Sequence, residues 1–94
     1  MNKAELVEKV AQRSGLSNRA AKDVVDSIFA VDNGIIAEEL KSRGKVQITG
    51  FGTFQADKRN ARDWRIPGTD RTKHVPEHWS PKFKAGKSLK DSVR

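Results

Sequence analysis

Between Asp57 and Arg65 this chain has no apolar face to bury, and that limits the folds open to it. The run Asp57-Lys58-Arg59-Asn60-Ala61-Arg62-Asp63-Trp64-Arg65 leads into Ile66-Pro67-Gly68-Thr69-Asp70. The Pro-Gly pair marks a turn, after which the chain returns through Thr72, His74 and Trp79 to Phe83. Such a hairpin extends beyond the core. With residues 57–80 set aside, about 70 of the 94 residues remain to build that core. A single core of this size typically supplies only ~3–5 kcal/mol. The sequence has no cysteine, so neither a disulfide framework nor a thiolate zinc site can supplement it. A second copy of the chain is the remaining remedy, and dimerisation is expected on energetic grounds.

Charge also divides the chain, between residues 44 and 45. Residues 1–44 hold seven Lys/Arg and seven Asp/Glu, whereas residues 45–94 hold twelve against five, the whole net charge of +7. Lys58, Arg59, Arg62, Arg65, Arg71 and Lys73 surround the Pro-Gly turn. A solvated face is the usual fate of such residues, but a basic hairpin on a neutral body has the form of an arm that embraces a polyanion. RNA meets the same charge requirement as DNA and is the secondary expectation. No apolar run approaches the ~18–20 residues that span a bilayer, and Met1-Asn2-Lys3-Ala4-Glu5 does not have the form of a signal peptide. A cytoplasmic chain with no membrane partner is expected.

The element pattern is helical, then stranded. Asn2 and Glu5 stand at capping-box spacing before Leu6, Val7, Val10 and Ala11, and Gly15 marks the stop. Ser17 caps a second helix whose apolar positions Ala21, Val24, Val25, Ile28, Phe29, Ile35, Ile36 and Leu40 keep a 3.6-residue period to about Arg43. Asn33-Gly34 interrupts that period at a cost of about 1 kcal/mol for the glycine, so the helix either kinks or divides; a single kinked helix is the expectation. Gly44 closes the helical half. Val46 and Ile48 alternate with Gln47 and Thr49 as a strand, Gly50-Phe51-Gly52 turns, and Phe54 continues a second strand. Residues 86–94 read as a short closing helix with Leu89 and Val93 on one face.

Two catalytic motifs fail on inspection. His74-Val75-Pro76-Glu77-His78 matches a zinc-peptidase pattern, but that chemistry needs a helix, which Pro76 disfavours. Ala85-Gly86-Lys87-Ser88 resembles the end of a phosphate loop, but Pro81 stands where its first glycine belongs. No metal, cofactor or catalytic group is expected, and an enzyme is the least expected outcome.

The opening Met1-Asn2-Lys3-Ala4-Glu5-Leu6-Val7, Leu16-Ser17, Lys45 to Phe54, Arg62, Arg65 and Pro67, and Phe83 to Asp91 together resemble the bacterial histone-like HU proteins and the related integration host factor. The resemblance covers nearly the whole chain. It implies one α+β domain over residues 1–94, an intertwined homodimer with two N-terminal helices in residues 1–44. Residues 45–94 would hold a three-stranded antiparallel sheet extended into a β-arm over about 57–80, and a short C-terminal helix. The arms would wrap duplex DNA through its minor groove. Pro67 would wedge between base pairs beside Ile66, while Arg59, Arg62 and Arg65 contact phosphates or the groove. Lys58, Arg71 and Lys73 would add to the arm, and Lys3, Lys84, Lys87 and Lys90 would lie near flanking DNA. Phe51, Phe54 and Phe83 would form core and dimer-interface positions. Minor-groove insertion with kinking is the general mode of such architectural proteins.

Against the family pattern, about four residues are inserted between Phe29 and Lys45, around Val31-Asp32-Asn33-Gly34. One added helical turn would lengthen the second helix by ~6 Å. The arm also carries Asp57, Asp63, Asp70 and Trp64 at positions that are more often basic, small or glycine. For Trp64 and Trp79, structural packing is expected rather than base stacking. The function implied is low-specificity, nucleoid-associated DNA bending and condensation. A sequence-preferring subunit like integration host factor, able to form a heterodimer, and a protein-interaction scaffold using the second helix are the alternatives.

Overall fold

The computed structural model describes all residues, Met1–Arg94, as two compact units, Met1–Ser42 and Arg43–Arg94. The first unit is helical. Asn2 caps α1 (Lys3–Ser14) by accepting the Glu5 N–H through its side-chain oxygen at 2.9 Å, and Gly15 ends the helix at φ 66°. That left-handed conformation costs glycine little and satisfies the last carbonyls. Ser17 caps α2 (Asn18–Phe29) by accepting the Ala20 N–H at 3.1 Å. Val7 and Ala11 of α1 meet Ala21 and Val25 of α2, with Leu6 and Val10 packed beside them. These four buried side chains are small, and no large side chain is fully buried. Phe29 and Ile35 remain 52% and 61% exposed, so one chain leaves much of its apolar surface uncovered.

The single kinked helix does not form. The chain leaves the helix at Ala30 (ψ 138°), turns through residues 31–34 and starts α3 (Ile35–Lys41). Residues 31–34 therefore build a corner and do not add a helical turn. Gly34 makes that corner possible: its N–H donates to the Ala30 carbonyl at 3.0 Å, and a Cβ there would collide with the same oxygen and lie 2.6 Å from the Ala30 nitrogen. Backbone cannot yield as a side-chain tip can. Gly34→Ala is therefore expected to destabilise the protein by about 1–3 kcal/mol, as overpacking does, read as a lowered midpoint in urea unfolding. At the far end, Arg43 and not Gly44 takes the left-handed position, at φ 64°.

The second unit begins with β1 (Val46–Ile48) and β2 (Gly52–Arg59), joined by a turn in which the Phe51 N–H donates to the Ile48 carbonyl at 2.9 Å. Gly50, at φ 83°, occupies the turn position that favours glycine. β3 (Arg62–Arg65) and β4 (Thr72–Val75) form a two-stranded hairpin, and β5 (His78–Ala85) returns beside β2 to give the antiparallel order β1-β2-β5. Val46, Ile48, Phe54, Phe83 and Trp79 share one face of that sheet, while Thr53, Gln55, Lys82 and Lys84 line the other. α4 (Lys87–Val93) closes the unit, with the Leu89 N–H bonded to the Gly50 carbonyl at 3.0 Å and the Gly86 N–H to the Phe51 carbonyl at 2.8 Å. No helix is long and apolar enough to cross a membrane.

Candidate nucleic-acid interface

The arm is a single hairpin with one interruption. Arg59 stands opposite His78 and Arg62 opposite Val75, three residues further on along β2–β3 and three residues back along β4–β5, so the register is continuous. Pro76 lies in the gap and has no N–H to give to the ladder. Every residue from Lys58 to His74 is exposed. At the tip the Thr69 N–H donates to the Ile66 carbonyl at 3.2 Å, and Gly68 sits at φ 78°. Pro67 and Gly68 thus occupy the central positions of a type II turn, where fixed φ and positive φ are respectively favoured. The Thr69 hydroxyl ties the tip further, donating to Ile66 O at 3.0 Å and accepting from the Arg71 N–H at 3.3 Å.

The arm carboxylates are not scattered. Each has a cationic or imidazole neighbour: Asp57 with Lys82 (3.9 Å), Asp63 with His74 (2.8 Å), Asp70 with Arg65 (3.8 Å) and Glu77 with Lys58 (3.1 Å). Arg59, Arg62, Arg71 and Lys73 have no carboxylate within ion-pair distance. Strand pairing then sorts these residues by face, because directly opposed residues share a side. Arg62 faces Val75 and Trp64 faces Lys73; the Ile66 N–H bonds to the Arg71 carbonyl at 3.0 Å in the same register. One face of the distal arm therefore holds Arg62, Trp64, Ile66, Arg71 and Lys73 without a carboxylate. Its other face holds Asp63 with His74, and Arg65 opposite Thr72 beside Asp70.

The remaining expected residues fall in three places. Lys84 lies on the polar face of the sheet opposite Thr53, and Lys87 and Lys90 project from α4, all exposed and without an acidic partner. Lys3 is engaged: its ammonium donates to Asp26 at 2.5 Å across α1 and α2. That hydrogen bond, with the nearby charges of Lys3 and Lys22, holds the Asp26 carboxyl below its usual range against a smaller opposing effect of burial. A lowered carboxylate pKa contributes stability above the unfolded value, about 3.9, and loses it as pH falls through the folded one. The stability difference between wild type and Asp26→Asn should begin to shrink as pH falls below about 4 and vanish only below the lowered folded pKa, measured by thermal unfolding across pH. Phe51, Phe54 and Phe83 come together, with ring centroids 5.9 Å apart for Phe51–Phe83 and 4.8 Å for Phe54–Phe83.

Both tryptophans are largely exposed, Trp79 at 42%, and only Trp79 has a partner against its ring. Trp79 lies beneath the Arg43 guanidinium, 4.4 Å from the ring centroid, a cation–π contact that the sequence separation of the two residues concealed. Trp64 is 54% exposed because the arm has no core behind it. His74 and His78 end up on separate strands about the Pro76 break, bonded to Asp63 and to the Pro76 carbonyl, and not one helical turn apart.

Comparison with known proteins agrees with this architecture. The family model described as bacterial DNA-binding protein matches residues 1–94. The DNA-binding protein HU of Thermus thermophilus is 44% identical over 94 residues, covering all of this chain and 93% of that protein. HU of Geobacillus stearothermophilus is also 44% identical, with both chains fully covered. The Anabaena HU structure, a cocrystal with DNA, superposes with a TM-score of 0.85 at 35% identity over 99% of this chain and 97% of that one. The chain belongs to the bacterial DNA-binding protein family of HU.

Proposed function

We propose that two copies of this chain form an architectural, nucleoid-associated protein that binds duplex DNA with low sequence specificity and bends it. The carboxylate-free cationic face of the arm carries the reading. Arg62, Arg71 and Lys73 present unopposed charge along an exposed hairpin, which suits a phosphate backbone. The arm presents no recognition helix to read base edges, so binding depends on phosphate charge and DNA deformability. Arg59, Lys84, Lys87 and Lys90 extend the positive surface. Lys58 and Arg65 contribute less because Glu77 and Asp70 offset them, and Lys3 contributes once it leaves Asp26. The half-exposed Phe51 and Phe83, and separately Phe29 and Ile35, are apolar surfaces that a second copy covers.

The test is a binding titration on random-sequence duplex over a range of salt. Arg62→Ala should weaken binding on all sequences alike and lower the slope of log affinity against log salt by about 0.9 for each phosphate left without its cation. Lys9→Ala and Arg13→Ala, in the neutral half, should leave both quantities unchanged. An Arg62→Ala protein with wild-type affinity and slope would remove the arm face from the DNA interface.

A further inference from the structure

Of the two tryptophans, only Trp64 has a ring with neither an aromatic nor a cationic cover. It stands in the middle of the carboxylate-free arm face, opposite Lys73 and two residues along from both Arg62 and Ile66. Exposing an indole on a hairpin with no core behind it gains nothing for folding, since the hydrophobic effect favours covering it. The same ring is suited to a nucleobase: every base has a π-face, and aromatic stacking beside a phosphate-gripping cation is how single-stranded segments are held. Trp64 also lies three residues from Pro67, roughly 10 Å at ~3.3 Å per residue. The indole is therefore set about three base steps from the tip, beside bases that flank the step at which the tip acts.

We propose that Trp64 is a stacking platform for an unstacked nucleobase, with Arg62 and Lys73 holding the flanking phosphates. This deepens the DNA-bending reading and rests on it. It makes the arm a sensor of DNA whose bases are already unstacked, at a gap or an unpaired bulge, as well as a clamp on intact duplex. The preference would come from the ring and not from charge, because Trp64 contributes none.

The experiment uses the Trp79→Phe full-length protein, in which Trp64 is the sole tryptophan fluorophore, titrated with an intact duplex and with a duplex of equal length carrying a two-nucleotide gap. The gapped duplex should quench Trp64 emission strongly, and the intact duplex less. Trp64→Ala should lose roughly tenfold or more in affinity for the gapped duplex, the scale of one base stack. Affinity for intact duplex should change little, the salt slope should stay the same, and Trp64→Phe should restore most of the loss. If Trp79→Phe does not fold, the difference in emission between wild type and Trp64→Phe supplies the same readout. Unquenched Trp64 emission in a protein that binds and bends DNA would overturn this inference alone, as would equal losses on both duplexes. Absence of binding to either duplex at low salt would overturn the DNA reading itself, and this inference with it.

Discussion

Phe83→Ala should leave a chain that neither folds stably nor dimerises. Phe83 is the central ring of the aromatic cluster, in contact with both Phe51 and Phe54. Its edge also fills the space above Gly52, where a Cβ would meet the ring at 2.6 Å. Truncating a buried Phe typically costs about 3–5 kcal/mol, as much as a small core supplies in total. In one chain Phe83 is 42% exposed, so the full cost arises only if, as proposed, a second copy covers it. The mutation then acts on folding and association together, and its effect should depend on protein concentration. Sedimentation and circular dichroism at micromolar concentration read both. A Phe83→Ala protein that remained a folded dimer with an unchanged melting temperature would exclude the cluster from the interface.

Pro67→Ala should separate gripping DNA from bending it. Pro67 stands at the second position of a turn already held by Gly68 and by three hydrogen bonds involving Thr69. Alanine is tolerated there, so the hairpin should persist. No charge is removed, so affinity at a given salt should fall only modestly and the salt slope should not move. The rigid apolar ring is lost, however, and in the proposed function that ring is what enters a base step beside Ile66. Opening a step costs a few kcal/mol, offset when bent DNA reaches more protein surface. The bend should therefore decrease sharply at saturating protein, along with the preference for pre-kinked duplex. An undiminished bend would leave Pro67 as a turn former.

Much of this architecture is legible in the sequence where the determining physics is local. Asn2, Gly15 and Ser17 punctuate helices through interactions within four residues, and Pro67-Gly68 specifies its turn by backbone preference alone. The division of the second helical segment is less legible, because the apolar period resumes at Ile35 and Ile36 after the Asn33-Gly34 interruption, while the corner depends on the Ala30 and Gly34 backbones meeting. The sorting of arm charges is hidden as well. Asp63 and His74 are eleven residues apart, and only the strand register reveals that they pair on one face and leave Arg62, Arg71 and Lys73 unopposed on the other. For Trp64 the sequence favours packing, because aromatic residues usually pack; the arm gives it nothing to pack against.

Bending of duplex DNA by the basic arms is tested most directly by the end-to-end distance of a doubly labelled random-sequence duplex. Fluorescence energy transfer is followed as wild-type protein is added to saturation at low salt, with binding monitored in parallel. Transfer should rise as the ends approach, reach a plateau at saturation, and fall back as salt releases the protein. Saturated binding with no change in transfer would contradict a bending role, because the arms would then grip DNA without deforming it.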